Sequence, residues 1–519
     1  MKKKVKTILF VFIVIGVVIL NITYNNKNEV TKTKRKKQNN LAIMIKEDGA
    51  SDYTKSSSKD IPKGNYILNR EKSYCKNNGV IGDYDNNLGK ISFSFIGTDS
   101  CYLYFDVITD TEKPVIFNLK VNGTAVTATL SDNIELLCYG ISTSNSVEPT
   151  SWTTISGTTY NLSTTITTEG TYYLWVKDAA GNKTVSDVVN IEIYGWNTIL
   201  INNTVNETTP DFRKVATTNE GLYKADDDYT ATTGMKSYYF RGAVNNNWVK
   251  FGKEGTKDIY WRIIRINGDG SIRMIYSGTT APTSSTATVM TGTGTQINTT
   301  TYAFNSSYNN PAYVGYMYTA STQHGNSTSS TIKTAIDNWY KTTTLETDAT
   351  TKSLVADQIF CNDRSATTSS SGTPGEISGS MSVSTTYYYG AYIRLITNKS
   401  PKLTCTTASD KFTVGTSNGN GALTYPVGLI TADEVAMAGG VNETSNSSYY
   451  LYTSQYYWSG SPSYFNGINA RAAEFRVHSS GDLDYYFVYN TYGARPVVSL
   501  SSKAKLSGSG TYNDVYTVN

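Results

Sequence analysis

Apolar and aromatic residues recur along this chain at strand-like spacing. Ile91, Phe93 and Phe95 alternate with Ser92 and Ser94, the pattern of a strand with one face buried. The stretch "IYWRIIRINGDGSIRMIYSG" predicts a hairpin, with Ile259–Ile266 and Ser271–Tyr276 joined through Asn267-Gly268-Asp269-Gly270. Two segments shift to the helical period. Ile332, Ala335, Ile336, Trp339 and Tyr340 fall at i, i+3, i+4, i+7 and i+8, which gives a helix one apolar face. Thr431 and Glu434 have capping-box spacing ahead of Val435 and Met437, and Gly439-Gly440 ends that helix. The expected fold class is multidomain and mainly β, with an α+β region at the C-terminal end.

The same pattern divides the chain. Ile8–Leu20 is apolar apart from Gly16 and follows Lys2, Lys3, Lys4 and Lys6. That is a secretory signal or a membrane anchor. No small-residue cleavage site follows Leu20, which favours an uncleaved signal-anchor over 1–24. A basic stalk over 25–40 carries the Lys32–Lys37 cluster. Next come a small β domain over 41–108 and a β-sandwich over 110–194, whose short strands alternate with Gly, Asn and Asp turns. An Asn/Thr-rich linker is expected over 195–220. A final domain over 221–519 carries two Ser/Thr/Gly-rich stretches, 277–301 and 366–386, that read as loop insertions.

Composition narrows the function classes. Charged residues are 17% of the chain and the net charge of +4 is not clustered on any candidate domain, so no basic stripe marks a nucleic-acid partner. The 41 tyrosines, with abundant Ser, Thr, Asn and Gly, suit strands, turns and polar aromatic contact surface. Five cysteines fit an exported protein. Cys75 with Cys101, and Cys361 with Cys405, each fall within one expected domain and can form local disulfides. Cys138, among apolar neighbours, reads as a buried thiol.

Catalytic and metal chemistry find little to stand on. There are two histidines, His324 and His478, and no CxxC, so a Cys/His zinc site is not expected. His478 has no acid beside it in its own strand and reads as a surface contact, not a general base. Asp482 and Asp484 could ligate calcium, but two local carboxylates fall short of the six or more oxygens it takes, and Ser480-Gly481-Asp482 reads as a turn. Asp226-Asp227-Asp228 likewise reads as a solvated turn. No cofactor is implied, and an enzyme is not expected, because neither paired carboxylates nor a nucleophile–base pair is evident.

Two stretches carry resemblances. "GTYYLWVKDAAGNKTV" resembles bacterial immunoglobulin-like domains of surface proteins, with Tyr173, Trp175 and Val176 turning through Asp178 to Asn182. That implies an Ig-like sandwich serving as a spacer. "YYWSGSP" followed by "YGARPVVSL" resembles the C-terminal core of C-type-lectin-like domains of the formylglycine-generating-enzyme type. It places Trp458, Ser459, Ser461, Gly493, Arg495, Pro496 and Val497 at scaffold positions. With "YPVGLITADEVAMAGG", the whole resembles exported surface proteins of gut Firmicutes. The enzymatic branch of that fold needs closely spaced copper-binding cysteines, and Cys361 and Cys405 lie far apart. The other branch includes variable proteins of diversity-generating retroelements, whose ligand-facing positions arise from mutated Asn codons and exclude Lys, Glu, Gln, Met and Trp. Between Ser461 and Tyr492 only Glu474 belongs to those excluded types.

The resemblance implies a ligand-binding surface between the scaffold flanks. Tyr464, Phe465, Tyr485, Tyr486 and Tyr489 offer large contact area at low entropic cost, and Asn466, Asn469, Ser479 and Asn490 offer hydrogen bonds, as in paratopes. Arg471, Arg476 and His478 can anchor an acidic or planar group, and Asp484 is a further expected contact residue. The expected protein is membrane-anchored and faces outward, and it binds an extracellular protein or glycan in adhesion or recognition. A structural or self-assembling adhesive stalk is the alternative, with a cell-surface enzyme behind both.

Overall fold

A computed structural model describes residues 40–56, 61–64, 66–86, 88–107, 110–225 and 236–519. The expected signal-anchor, nearly all of the basic stalk and Asp226–Asp228 lie outside these residues. Strands predominate, and among the described residues no helix is long and apolar enough to cross a membrane.

The described chain forms two compact units. The first takes residues up to 119 with 128–162 and 173–187, and the second takes 120–127, 163–172 and 188–519. The boundary therefore passes through strands of the 110–194 segment. In the first unit, Asn40–Glu47 pairs in parallel with Thr98–Val107, which pairs antiparallel with Tyr66–Cys75. Cys75 faces Cys101 across that last pair and is bonded to it. Ile43, Leu68, Leu103 and Phe105 of these strands belong to one buried apolar core. A second core gathers Ala128, Leu130, Leu136, Leu162, Leu174 and Val176. Cys138 is a free, buried thiol.

In the second unit, the predicted hairpin forms as Lys257–Ile266 and Ile272–Tyr276 within a ten-stranded sheet. Val497–Leu500 pairs with Ile272–Tyr276 and is fully buried. A seven-stranded sheet lies elsewhere in the unit and contains the Tyr457–Asn466, Arg471–Val477 and Leu483–Phe487 strands. Cys361 and Cys405 are disulfide-bonded. The linker expected over 195–220 is instead folded. Gly195–Ile201 is a helix, and Val205–Asn206 adds a parallel strand beside Asn219–Ala225. Trp196, Ile199 and Leu200 pack on the core at i, i+3 and i+4, and this apolar face is masked in sequence by the surrounding Asn and Thr.

Both predicted helices are present, as Thr331–Tyr340 and Ala432–Ala438. The second is seven residues long, too short to persist without tertiary support. Its capping box is complete: Thr431 Oγ1 accepts from the Glu434 amide, and Glu434 Oε2 accepts from the Thr431 amide at 2.9 Å. Gly439 takes φ 117° at the C-cap, a conformation costly for any residue with a Cβ. Arg241 donates to the carbonyls of Ala436 and Met437 at the same end.

Glu434 does more than cap. Its Oε1 lies 2.9 Å from Arg265 Nε and 2.7 Å from Arg273 Nε, and all three side chains are buried. Burial alone would raise the carboxyl's pKa, but Arg273, Arg265 and the Thr431 amide hold it below its ordinary value. Loss of one partner in such a cluster leaves a buried charge uncompensated. Glu434→Ala is expected to cost about 3–5 kcal/mol of stability, measured by urea unfolding at pH 7. Because the folded pKa is depressed, Glu434's contribution is present above its unfolded value of about 4.3 and is lost as pH falls through the folded one. The gap between wild type and variant should therefore narrow in acid.

Candidate ligand-facing surface

The segment between the expected scaffold flanks forms three strands in consecutive antiparallel pairs. Tyr457–Asn466 pairs with Arg471–Val477, which pairs with Leu483–Phe487. The first strand is held from below by the capped helix: the Ser461 hydroxyl accepts from the Ala432 amide at 2.9 Å, and the Gly460 amide donates to the Ile430 carbonyl at 2.8 Å. The expected scaffold residues are buried. Trp458 Nε1 donates to the Tyr302 carbonyl at 2.8 Å. Arg495 Nε donates to the Tyr276 carbonyl at 2.9 Å, its guanidinium lying over the Tyr457 ring. The Pro496 carbonyl accepts from the Tyr276 amide. A Cβ on Gly493 would fall within 2.0 Å of the Gln296 side chain, so a larger residue would have to displace that side chain, which donates to the Tyr456 carbonyl.

Strand alternation sorts the remaining side chains onto two faces. Register places Phe475 opposite Tyr485 and Ala473 opposite Phe487. On that face Tyr464 meets Tyr485 edge-on, with centroids 5.3 Å apart, and Tyr485 neighbours Tyr392, which neighbours Tyr388. Arg471 lies over Phe487 and Tyr489, whose rings stack at 6.0 Å, and Tyr308 packs against Tyr489. Burial first, and then Tyr392 and Tyr464, push the Tyr485 phenol up to about 12. It therefore stays a neutral hydrogen-bond donor at physiological pH.

The other face is built around Arg476. Its guanidinium is 4.6 Å from the Tyr456 ring, 4.6 Å from Tyr486 and 4.4 Å from Tyr492. Asp484, directly opposite in register, accepts from Arg476 Nε at 3.2 Å and Nη2 at 2.7 Å. Three rings and a carboxylate fix this cation before any ligand arrives. His478 joins the same edge: Nε2 lies 3.0 Å from the Tyr456 hydroxyl and Nδ1 lies 2.6 Å from Ser480 Oγ. Ser480 in turn donates to Asp482. Asp482 is buried in the expected turn, where Gly481 takes φ 84°.

Several expected contact residues are placed differently. Phe465 is completely buried and belongs to the core, because it lies on the inward side of its strand. Asn466 Oδ1 accepts from the Ile468 and Asn469 amides, and Asn490 Nδ2 donates to the Phe487 carbonyl, so both shape turns. Arg476 keeps only 7% of its side-chain surface and acts by positioning its tyrosines. Tyr464, Asn469, Arg471, His478, Ser479, Asp484, Tyr485, Tyr486 and Tyr489 remain partly or well exposed. Tyr308, Tyr388 and Tyr392 join the surface from distant chain positions, and no local pattern marks them. Ile468, 90% exposed at the hairpin tip, was detectable as an apolar residue between Asn466-Gly467 and Asn469.

No family model, curated protein or solved structure matches the chain.

Glu474 sits beneath this surface, opposite Tyr486 in register. It is wholly buried, and neither carboxylate oxygen has a hydrogen-bond partner. Burial pushes its pKa well above the ordinary value, with Arg364 opposing only in part. An acid with a raised folded pKa contributes stability that is complete below the unfolded value and lost as pH rises toward the folded one. Wild type should therefore lose stability relative to Glu474→Gln by up to about 1.4 kcal/mol per pH unit above the model-peptide range. Urea midpoints of the two proteins at pH 5, 6 and 7 check this. Parallel midpoints would show that Glu474 is not held neutral.

Proposed function

We propose that this protein is a cell-surface recognition protein whose C-terminal unit presents the Tyr/Arg surface to an extracellular protein or glycan. The observation that carries this reading is the Arg476 cluster. A guanidinium locked among three tyrosines and a carboxylate presents aromatic faces and hydroxyls in fixed positions, which lowers the ordering cost of binding. Neutral phenols at physiological pH suit hydrogen bonding to glycan hydroxyls or peptide groups, and the exposed rings suit stacking. Two disulfides support an exported location, and the basic and apolar N-terminal sequence supports a membrane anchor.

The resemblance to C-type-lectin-like and immunoglobulin-like modules supplies the rest of the proposal: a β-sandwich as spacer and a lectin-like unit as reader. Diversification by a retroelement fits one further feature. Glu474, the residue in 461–492 that an Asn codon cannot yield, is a buried position, where ligand choice would not be set.

Substitution separates recognition from folding. Tyr486→Ala and Ile468→Ser should leave the urea midpoint close to wild type. Tyr486→Ala should also weaken retention on a glycan or mucin-glycoprotein array about tenfold or more, as loss of an aromatic anchor does. Phe465→Ala should instead cost about 3–5 kcal/mol of stability. Retention on such arrays that is unchanged in Tyr486→Ala and Tyr485→Ala would remove this surface from the binding role. Concentration-dependent sedimentation of the purified protein would support the stalk reading instead.

A further inference from the structure

Three acidic residues, two from connections and one from a strand end, meet in the first unit. Asp110 precedes the Val115–Asn122 strand, Asp132 follows Ala125–Ser131, and Asp178 ends Gly170–Asp178. One carboxylate oxygen from each lies within 4.8 Å of the others. Asp178 is fully buried and Asp132 keeps 9% of its surface, while Asp110 is partly exposed. Among the described residues, none of the three forms an ion pair with a Lys or Arg. Three carboxylates held this close repel one another unless a positive charge balances them.

The hydrogen bonds show which atoms are already committed. Asp132 Oδ1 accepts from the Ile134 and Glu135 amides at 2.9 and 2.8 Å. Its other oxygen, Oδ2, is buried and has no hydrogen-bond partner. An unpartnered buried carboxylate oxygen is costly and calls for a ligand. Asp178 is steadied by the Gly181 and Asn182 amides on Oδ1 and by Asn182 Nδ2 on Oδ2. Asp110 Oδ1 accepts from the Glu112 amide and Asn133 Nδ2, and the Asp110 carbonyl accepts from Asn182 Nδ2 at 3.1 Å. The three carboxylates are thus already braced where they meet.

We infer that Asp110, Asp132 and Asp178 form a calcium site. The donors are all hard oxygens, with no His or Cys. Two oxygens bound to one calcium at about 2.4 Å lie at most about 4.8 Å apart, which the observed spread meets. Calcium tolerates irregular ligand geometry and fills its remaining positions with carbonyls and water, whereas magnesium demands a near-octahedral set. The bound ion would fasten the point where the chain enters the Val115–Asn122 strand to two turns of the same unit. This site is separate from the Asp482 turn and does not depend on the recognition role proposed above.

The test uses the purified full chain in detergent, stripped with EGTA and titrated with calcium chloride by calorimetry, with thermal unfolding followed in parallel. The expected result is one saturable site with a dissociation constant on the order of 10⁻⁴ to 10⁻³ M, the range of extracellular modules, and an unfolding midpoint that rises with calcium. Asp132→Asn should weaken binding at least tenfold. Asp110→Asn, at a partly exposed position outside any strand, provides a second variant should Asp132→Asn fail to fold, and should weaken binding likewise. Asp482→Asn should leave the titration unchanged. Absence of saturable binding, an undiminished titration in Asp110→Asn, or an equal response to magnesium overturns the assignment. So does stabilisation by acid in EGTA with no added effect of calcium, which would mean that a shared proton balances the cluster.

Discussion

The C-terminal unit depends on one buried carboxylate. Glu434 answers Arg265 and Arg273 from the ten-stranded sheet with one oxygen and closes its own helix's capping box with the other. Remove it, and two guanidiniums lose their counter-charge while a seven-residue helix loses its start. The consequences reach further because the residues on either side of that cap carry the recognition strands. Ala432 donates to Ser461, and Ile430 accepts from Gly460. The strand that begins the candidate surface is therefore registered by the same few residues that neutralise the core. Arg394, bidentate to Asp433 and bonded to Asp363, braces the helix from its other side. Buried ion pairs are weak sources of net stability, but their geometric demands favour a single arrangement.

That frame explains how a surface so rich in tyrosine can be rigid. Aromatic rings on an isolated hairpin would sample several rotamers. Here, Gly467 is pinned because its amide donates to Thr386 Oγ1 and any Cβ would strike the backbone of Ser384 and Thr385. At the other end, Tyr492 packs against both Tyr456 and Trp458, and Trp458 is fixed by its own hydrogen bond. Between these anchors the rings fill both sides of one strand pair. Arg471 orders one side and Arg476 the other. The two cations thus serve the surface mainly through the rings they hold.

Local chemistry was readable from the sequence wherever it was contiguous. The Ile259–Tyr276 hairpin, the Thr331–Tyr340 helix and the Thr431–Glu434 capping box each lie within one short window, and each formed. Cys75 and Cys101 also pair as their placement suggested. What could not be read was assembled from distance. Tyr308, Tyr388 and Tyr392 reach the surface through pairing that no local period records. Phe465 was misplaced because aromatic residues in a run such as Ser463-Tyr464-Phe465-Asn466 look alike until register assigns each a face. The helix at Gly195–Ile201 escaped notice because three apolar residues in an Asn/Thr-rich segment give a weak period, and only the core they pack against makes it decisive.

Glu474 and Asp132 show how differently a protein can treat an unpartnered buried carboxylate. Glu474 has one nearby opposing charge, Arg364, which is already paired with Asp410, so taking up a proton relieves its burial. Asp132 faces two further carboxylates within 4.8 Å. A divalent cation answers all three at once and can use the oxygen that the Ile134 and Glu135 amides leave free. Protonation suits the first site because it lies inside a sheet beneath aromatic rings. Metal suits the second because its carboxylates come from connections and a strand end, where water can complete the ion's shell.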